Sequence, residues 1–435
     1  MPAVTAHASD EPPYTQTDSS AEPRRFRELT GYQKLLFALL IWATFFEGFD
    51  TKISSLVLPM LGREFGVGPD VLGNLLATLG LGTILAVVAL RIADRVGRRP
   101  VFITALGGYA VFTFATAFAQ NLWQFAAFQF VARLLMVIEL ALAYVILSEE
   151  FPASLRGRAN SLLGAFASVG AAVPAAFLPA LEDAGLGWRG LFLLGAIPVI
   201  LLPLYGKWLR EPALFVERAA VAAPVSLANE FRALLRVLGP SRRRRFAALS
   251  VLWFTVNFWS ACALFFFTLY AFEERGWTSE RLQWLVPLAV PFGFAGYWAA
   301  GRLMDFAGRR FAVTLYLALG SLAAAVCYQS ESHGVISAAY VALMMLNGLW
   351  PIANTISVEL FPTDIRASAT GFSHHLIGRW GMVVGPIAVG ALAVSLGSTG
   401  DAVTLLSFAN VLCIPVVWLG LPETRGLDLS ELEAS

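Results

Sequence analysis

Charge is what this sequence has least of: only 14% of its 435 residues are charged, and 57% are hydrophobic. Soluble domains carry about 25% charged and about 45–50% apolar residues. So large an apolar excess cannot be hidden in one soluble core, and the solvent for much of the surface is expected to be lipid. Lysine is scarce, with Lys34, Lys52 and Lys207 the only three among 31 basic residues; the bias hints at a bacterial genome and says nothing about mechanism. A net charge of +1 argues against a nucleic-acid partner. Cys262, Cys327 and Cys413 lie in apolar stretches without metal-ligand spacing and read as small buried hydrophobes. There is no His/Cys cluster, no Gly-Lys-Ser/Thr phosphate loop and no nucleophile elbow. No enzyme, cofactor or metal is therefore expected.

What is present is a series of apolar stretches near the length needed to span a bilayer. They fall at 33–58, 70–90, 101–119, 122–148, 158–180, 188–208, 246–272, 282–301, 311–330, 334–358, 367–396 and 401–420. The expected fold class is all-α: a membrane protein of twelve transmembrane helices in two six-helix repeats. Residues 1–31 are polar, lack an apolar h-region and read as a disordered tail rather than a cleaved signal peptide. The expected domains are a six-helix bundle at 32–208, a linker at 209–245, a second bundle at 246–420 and a tail at 421–435.

Basic residues set the orientation. The outer loops hold Arg63, Arg189, Arg275 and Arg281, and Lys52, Arg133 and Arg379 lie inside spans; the other 24 of the 31 basic residues are on the inner side. That asymmetry places both termini in the cytoplasm and the chain in the cell (inner) membrane as a multi-pass, monomeric protein. The run Arg242–Arg245 reads as a topology anchor, with anionic-lipid or partner binding as the alternative.

Two loop motifs recur. Asp94-Arg95-Val-Gly97-Arg98-Arg99 follows the second stretch, and Asp305-Phe-Ala-Gly308-Arg309-Arg310 follows the eighth, 211 residues later. Glu149-Glu-Phe-Pro152-Ala-Ser-Leu-Arg156 follows the fourth, and Glu359-Leu-Phe-Pro362-Thr-Asp-Ile-Arg366 follows the tenth, 210 residues later. Two motifs at nearly one offset mark an internal duplication. Acids, arginines and helix ends gathered on one face form a charge network that can lock two halves and break as they rock. Asp94 and Asp305 are expected to accept hydrogen bonds from backbone N–H groups or from arginines of the other motif; a purely topological role needs only positive charge.

These motifs resemble those of the major facilitator superfamily over about 33–420, and Pro422-Glu423-Thr424-Arg425-Gly426 looks like the ending of its sugar-porter-like members. Leu90, where the first loop motif of the family usually begins with Gly, and Phe306, where Arg follows Asp, depart from the pattern.

Ionisable residues inside spans are costly and are candidates for function. Glu47 and Asp50 lie three residues apart on one helix face and suit proton uptake and release. Lys52 lies roughly 200° from Asp50 and is expected to snorkel outward. Arg133 and Arg379 fall near the midplane, where a guanidinium needs an acid, a carbonyl or an anionic ligand. Tyr144 returns to nearly the same face as Arg133. Glu139, about 120° away, is a candidate standing partner for Arg379. His375 and Arg379 are i,i+4 neighbours while His374 points elsewhere; His375 reads as a proton-pathway group or a packed histidine. Asn347, Trp350 and Asn354 share one face, as do Trp253, Asn257 and Ser260, lining a cavity or joining helices.

Gly48-Phe49-Asp50, Arg133 and Gly378-Arg379-Trp-Gly381 with Gly385-Pro386 resemble the aromatic-acid and metabolite–proton symporters. That resemblance implies carboxylate binding by Arg133 and Arg379 and proton carriage by Asp50 and Glu47. Glu47 replaces the usual Asp, and Met136–Ala143 replaces a Gly-rich stretch. The expected partners are a small organic anion, protons and the lipid bilayer. The alternatives are a sugar or other neutral-solute porter, a drug exporter or a non-transporting sensor.

Overall fold

A computed structural model of the chain describes residues 25–90, 93–212, 239 and 242–425, apart from some side chains within them, those of Asp94 and Arg95 included. The expected N-terminal tail up to residue 24, most of the linker and the end of the C-terminal tail lie outside the described residues, as do the carboxylate of Asp94 and the guanidinium of Arg95.

The long helices are α1 (Gly31–Leu56), α2 (Pro69–Ala89), α3 (Arg98–Thr116), α4 (Leu122–Glu150) and α5 (Ala153–Asp183). A broken α6 (Gly187–Gly195 and Pro198–Trp208) completes the first half. The second half holds α7 (Arg243–Phe265), α8 (Ser279–Ala307), α9 (Arg309–Gln329) and a broken α10 (His333–Leu346 and Leu349–Glu359). The rod α11 is Thr363–Thr370 and Gly381–Leu396 joined by irregular turns, and α12 is Thr399–Ala409 and Cys413–Gly420 joined by one 3₁₀ turn. Among the described residues, nine helical stretches are long and apolar enough to cross a membrane. The helices α1, α3 and α8 fall outside that set; α1 carries Lys34, Glu47, Asp50 and Lys52.

Local chemistry starts and stops these helices. Thr30 and Gln33 form a reciprocal capping box at the start of α1. The side chain of Asn121 accepts from the Gln124 N–H at 2.9 Å to open α4. Prolines sit within α5, α8 and α11, where surrounding helices can re-satisfy the freed carbonyls. Large apolar side chains point outward, including Trp123, Ile200, Trp284 and Leu412, as a lipid-facing surface requires.

The halves meet along α2 against α11 and α5 against α8. At the end of the molecule away from the repeated loop motifs, Arg63 Nε lies 2.9 Å from Glu273 Oε1 across the seam, and the Ser279 hydroxyl donates to Glu182. At the motif end, the ion pairs among the described residues, Arg98–Glu149 and Arg309–Glu359, each lie within one half, and Asp305 is 78% exposed.

Candidate functional site

Midway along α1 a ladder of polar side chains faces α4. Arg133 donates from Nη1 to Thr51 Oγ1 at 3.0 Å and from Nη2 to Ser54 Oγ at 3.2 Å. The Thr51 hydroxyl donates in turn to Glu47 Oε1 at 3.0 Å, and Ser54 donates to Gln129 Oε1 at 3.4 Å. Thr51 and Ser54 are three residues apart on one helix face, so one guanidinium fork engages both. Asp50 turns the other way: it is 1% exposed and accepts from Thr113 of α3 at 3.3 Å. Glu47 therefore stands at the centre and Asp50 inside the first half.

Arg379 lies where α11 loses α-helical register. Gly371–Ile377 is a π-helical turn and Gly378–Trp380 a 3₁₀ turn. Arg379 Nε is buried with no hydrogen-bond partner among the described residues. Arg133 and Glu47 lie within its electrostatic reach, and Glu47 in turn interacts with Arg133, Asp50 and Arg379. Arg379, Arg133 and Glu47 thus lie within electrostatic range of one another while Asp50 faces α3, and none of the four is paired within 4.0 Å among the described salt bridges.

The π turn also corrects the histidine geometry, because i,i+4 spacing holds only in an α-helix. His374 does not point away: its ring stacks on Trp253 at 3.7 Å and on His375 at 4.2 Å. Both histidines lie within electrostatic reach of Arg379.

Glu139 is not the partner of Arg379. It is 0% exposed in the core of the first half, and both carboxyl oxygens lack a hydrogen-bond partner among the described residues. Glu47 lies within its electrostatic reach. Its helical direction points it among α3 and α6, beside Tyr109 and Tyr205. Tyr144 approaches Gly164 of α5, whose added Cβ would lie 3.3 Å from its hydroxyl, and interacts with Glu47 and Tyr297. Trp350 donates from Nε1 to Ser260 at 3.1 Å. Asn257 is fully buried, donates to the Trp253 carbonyl at 2.8 Å and packs against Gly381. Asn354 is exposed. Trp350 and Asn257 thus sit in helix seams, apart from the arginine–carboxylate cluster.

Lys52 does not snorkel into lipid. Its ammonium lies 3.4 Å from the Tyr340 hydroxyl of α10, across the two halves. The sequence offers it only the α1 face; the partner, 288 residues away, decides its direction. It lines a cavity of about 270 Å³ between α1 and α5 on one side and α7, α8 and α10 on the other. A smaller cavity of about 40 Å³ lies against Arg133 and shares Thr51, Ser55 and Phe265 with the larger one.

On the motif face the two halves repeat one design. Arg98 Nε lies 3.6 Å from Glu149, and Arg309 Nη2 lies 2.7 Å from Glu359. Arg156 and Arg366 donate to the carbonyls of Phe151 and Phe361 at 3.3 and 3.1 Å. The caps of α3 and α9, however, come from Glu211 and Glu423. The N–H groups of Arg98 and Arg99 donate to Glu211 at 2.5 and 3.1 Å, and those of Arg309 and Arg310 donate to Glu423 at 2.8 and 3.1 Å. Among the described residues, Asp305 makes only a 3.8 Å contact, with Arg309 of its own motif. The reason is position: Asp305 ends α8, where free N–H groups are lacking, whereas the glutamates reach helix beginnings. Gly97 (φ 119°) and Gly308 (φ 93°) make the turns, and a Cβ there would stand 2.9 and 2.7 Å from those carboxylates. Burial pushes the Glu423 carboxyl up, but N–H donors of Arg309, Arg310, Arg425 and Thr424 outweigh it and hold it below the usual range. The signal for these caps was a third repeat, Leu209-Arg-Glu211 and Leu421-Pro-Glu423, offset by 212 residues.

Comparison with known proteins agrees with this architecture. The chain is 27% identical over 424 residues to the niacin transporter NiaP of Acinetobacter baylyi, covering 90% of this chain and 95% of that one. It is 28% identical over 390 residues to the 4-hydroxybenzoate transporter PcaK of the same species, covering 82% and 84%. The inward-open xylose transporter XylE from E. coli shares the fold with a TM-score of 0.72 at 18% identity, covering 93% of this chain and 99% of that one. The family model for the Major Facilitator Superfamily matches residues 40–386. With duplicated motif loops, a two-halved helical frame and charges buried in its interior, this chain belongs to the Major Facilitator Superfamily and is an integral, multi-pass membrane transporter.

Proposed function

We propose that the protein is a proton-coupled symporter for a small organic acid, of aromatic type, that works by alternating access in the inner membrane with the motif face in the cytoplasm. The observation that carries this reading is Arg379, whose Nε is buried without a hydrogen-bond partner and which has no paired carboxylate within 4.0 Å among the described residues, in electrostatic range of Glu47 and Arg133. A charge held there without an acid is satisfied by an anionic ligand. Arg133 and Arg379 hold the substrate carboxylate, with Tyr144 beside it. Glu47 and Asp50 carry the coupling proton; Glu47 joins the two functions because Thr51 links its carboxyl to Arg133. His375 lies in range of Arg379, and Glu139 in range of Glu47, as secondary proton groups. Relatives whose names give niacin and 4-hydroxybenzoate as cargo support an aromatic carboxylate.

Residues 33–208 rock against 246–420 as one monomer. The Arg98–Glu149 and Arg309–Glu359 clusters, with Arg95, Arg156 and Arg366, form the gate on the motif face. The test is uptake of 4-hydroxybenzoate into proteoliposomes under an imposed pH gradient. Uptake is expected to follow the gradient and to vanish in Arg133→Ala and Arg379→Ala. Equal uptake with and without the gradient removes proton coupling, and full uptake in both variants removes the arginine assignment.

A further inference from the structure

The cavity beside Lys52 belongs to none of the roles assigned above. Lys52 lies five residues beyond Glu47 along α1, roughly 7–8 Å further from the motif face at 1.5 Å per residue. Among the described residues its ammonium makes no ion pair; its one polar contact is the Tyr340 hydroxyl at 3.4 Å. The rest of the wall is mainly apolar and aromatic, with Phe265, Phe294 and Tyr297. Asn347 also lines the cavity, and its Oδ1 has no hydrogen-bond partner among the described residues. Tyr340 and Asn347 are separated by about two turns of α10, roughly 10 Å.

We infer that this cavity is a second anion station, a binding site for a hydroxylated aromatic monocarboxylate, with Lys52 on the carboxylate and Asn347 on the ring hydroxyl. The inference rests on the organic-acid reading above and adds a site to it. Size, charge and lining each support it. Cavities of about 150 Å³ already admit benzene, so about 270 Å³ holds one substituted ring. A cation among aromatic walls suits a flat anion. The cavity shares Thr51, Ser55 and Phe265 with the pocket against Arg133, so the two stations adjoin. A carboxylate leaving the arginines toward the opposite face meets Lys52 next, and the closed seam at Arg63 and Glu273 keeps it from passing further in this state.

The test measures binding of 4-hydroxybenzoate and of its neutral analogue 4-hydroxybenzamide to the purified full-length protein by calorimetry. Lys52→Met is expected to weaken the acid at least tenfold and leave the amide unchanged. Lys52→Arg is expected to stay within a few-fold of the native protein for both. Gly293→Leu fills the cavity and is expected to weaken both ligands; a Cβ at Gly293 meets only the Met344 carbonyl, at 3.7 Å, so the helix accepts it. Native-like acid binding in Lys52→Met overturns the station and leaves the central-arginine reading standing. Failure of the native protein to bind the acid overturns that reading and the station with it. Should Lys52→Met not fold, Gly293→Leu decides: undiminished acid binding there overturns the station.

Discussion

Replacing Gly48 by alanine tests whether the closeness of α1 and α5 is what sets the carboxylates in place. A Cβ built on Gly48 would lie 1.8 Å from the Ala167 carbonyl oxygen, and one on Gly170 would lie 1.9 Å from that of Phe45. Ordinary contact begins near 3.4 Å, so at Gly48 the backbones must part locally by about 1.6 Å. Overpacking of this kind costs about 1–3 kcal/mol. For a unit the size of one half, that corresponds to a fall in melting temperature of about 2–12 °C. The same movement carries Thr51 away from Arg133, stretching a 3.0 Å hydrogen bond past its working range. A hydrogen bond to a charged group is worth about 1.5–3 kcal/mol, so ligand affinity or uptake is expected to drop roughly 10- to 100-fold. The assay pairs thermal unfolding in detergent with uptake in proteoliposomes. Gly206→Ala is the control: nothing lies within 4 Å of its Cβ, and its stability is expected to hold or rise by about 0.5–1 kcal/mol. If Gly48→Ala melts and transports like the native protein, the close approach does not position the site and the reasoning fails.

Glu423→Gln removes a charged cap from α9 and is expected to cost about 1 kcal/mol near neutral pH. Because the folded pKa lies below the ordinary value of 4.5, that contribution is present above pH 4.5 and is lost as pH falls through the lowered folded value. Melting curves of variant and native protein should converge in acid, and a constant gap across the pH series would count against the cap. Arg63→Met removes an exposed pair worth at most about 1 kcal/mol, so the melting temperature should barely move. The same change opens the seam away from the motif face, and a thiol reagent that cannot cross the membrane should modify Ser55→Cys faster. The native cysteines are buried and give little background. An unchanged modification rate would show that the pair does not hold that seam.

Much of the frame was legible in the chain. The expected stretches at 70–90, 122–148, 188–208 and 311–330 match Pro69–Ala89, Leu122–Glu150, Gly187–Trp208 and Arg309–Gln329 closely, because a lipid solvent leaves a continuous apolar signal that needs no knowledge of packing. The mid-depth charges were equally visible, since hydrocarbon makes each one costly. What failed were statements of direction. Lys52 was aimed by ideal helical angles, yet Tyr340 fixes where it goes. His374 was aimed by an α register that the Gly371–Ile377 turn does not keep. Glu139 was matched to Arg379 by its charge and its angle from Arg133, although it lies in the core of the first half. The caps by Glu211 and Glu423 were missed because each glutamate acts on a helix more than a hundred residues earlier in the chain.

Those two glutamates have a mechanical consequence. Each bolts the exit of a half's sixth helix to the start of its own third, while Arg99 and Arg310 fasten the same joints through the carbonyls of Leu209 and Leu421. In the alternating-access motion proposed above, a half built this way resists splaying and turns as one lever. On that proposal, torque from a ligand between the levers goes to the seams of α2 with α11 and α5 with α8, and at the first of these Gly73 and Gly390 bring backbone against backbone. The stroke is set by how those smooth surfaces slip, and little of it is dissipated in loosening the ends.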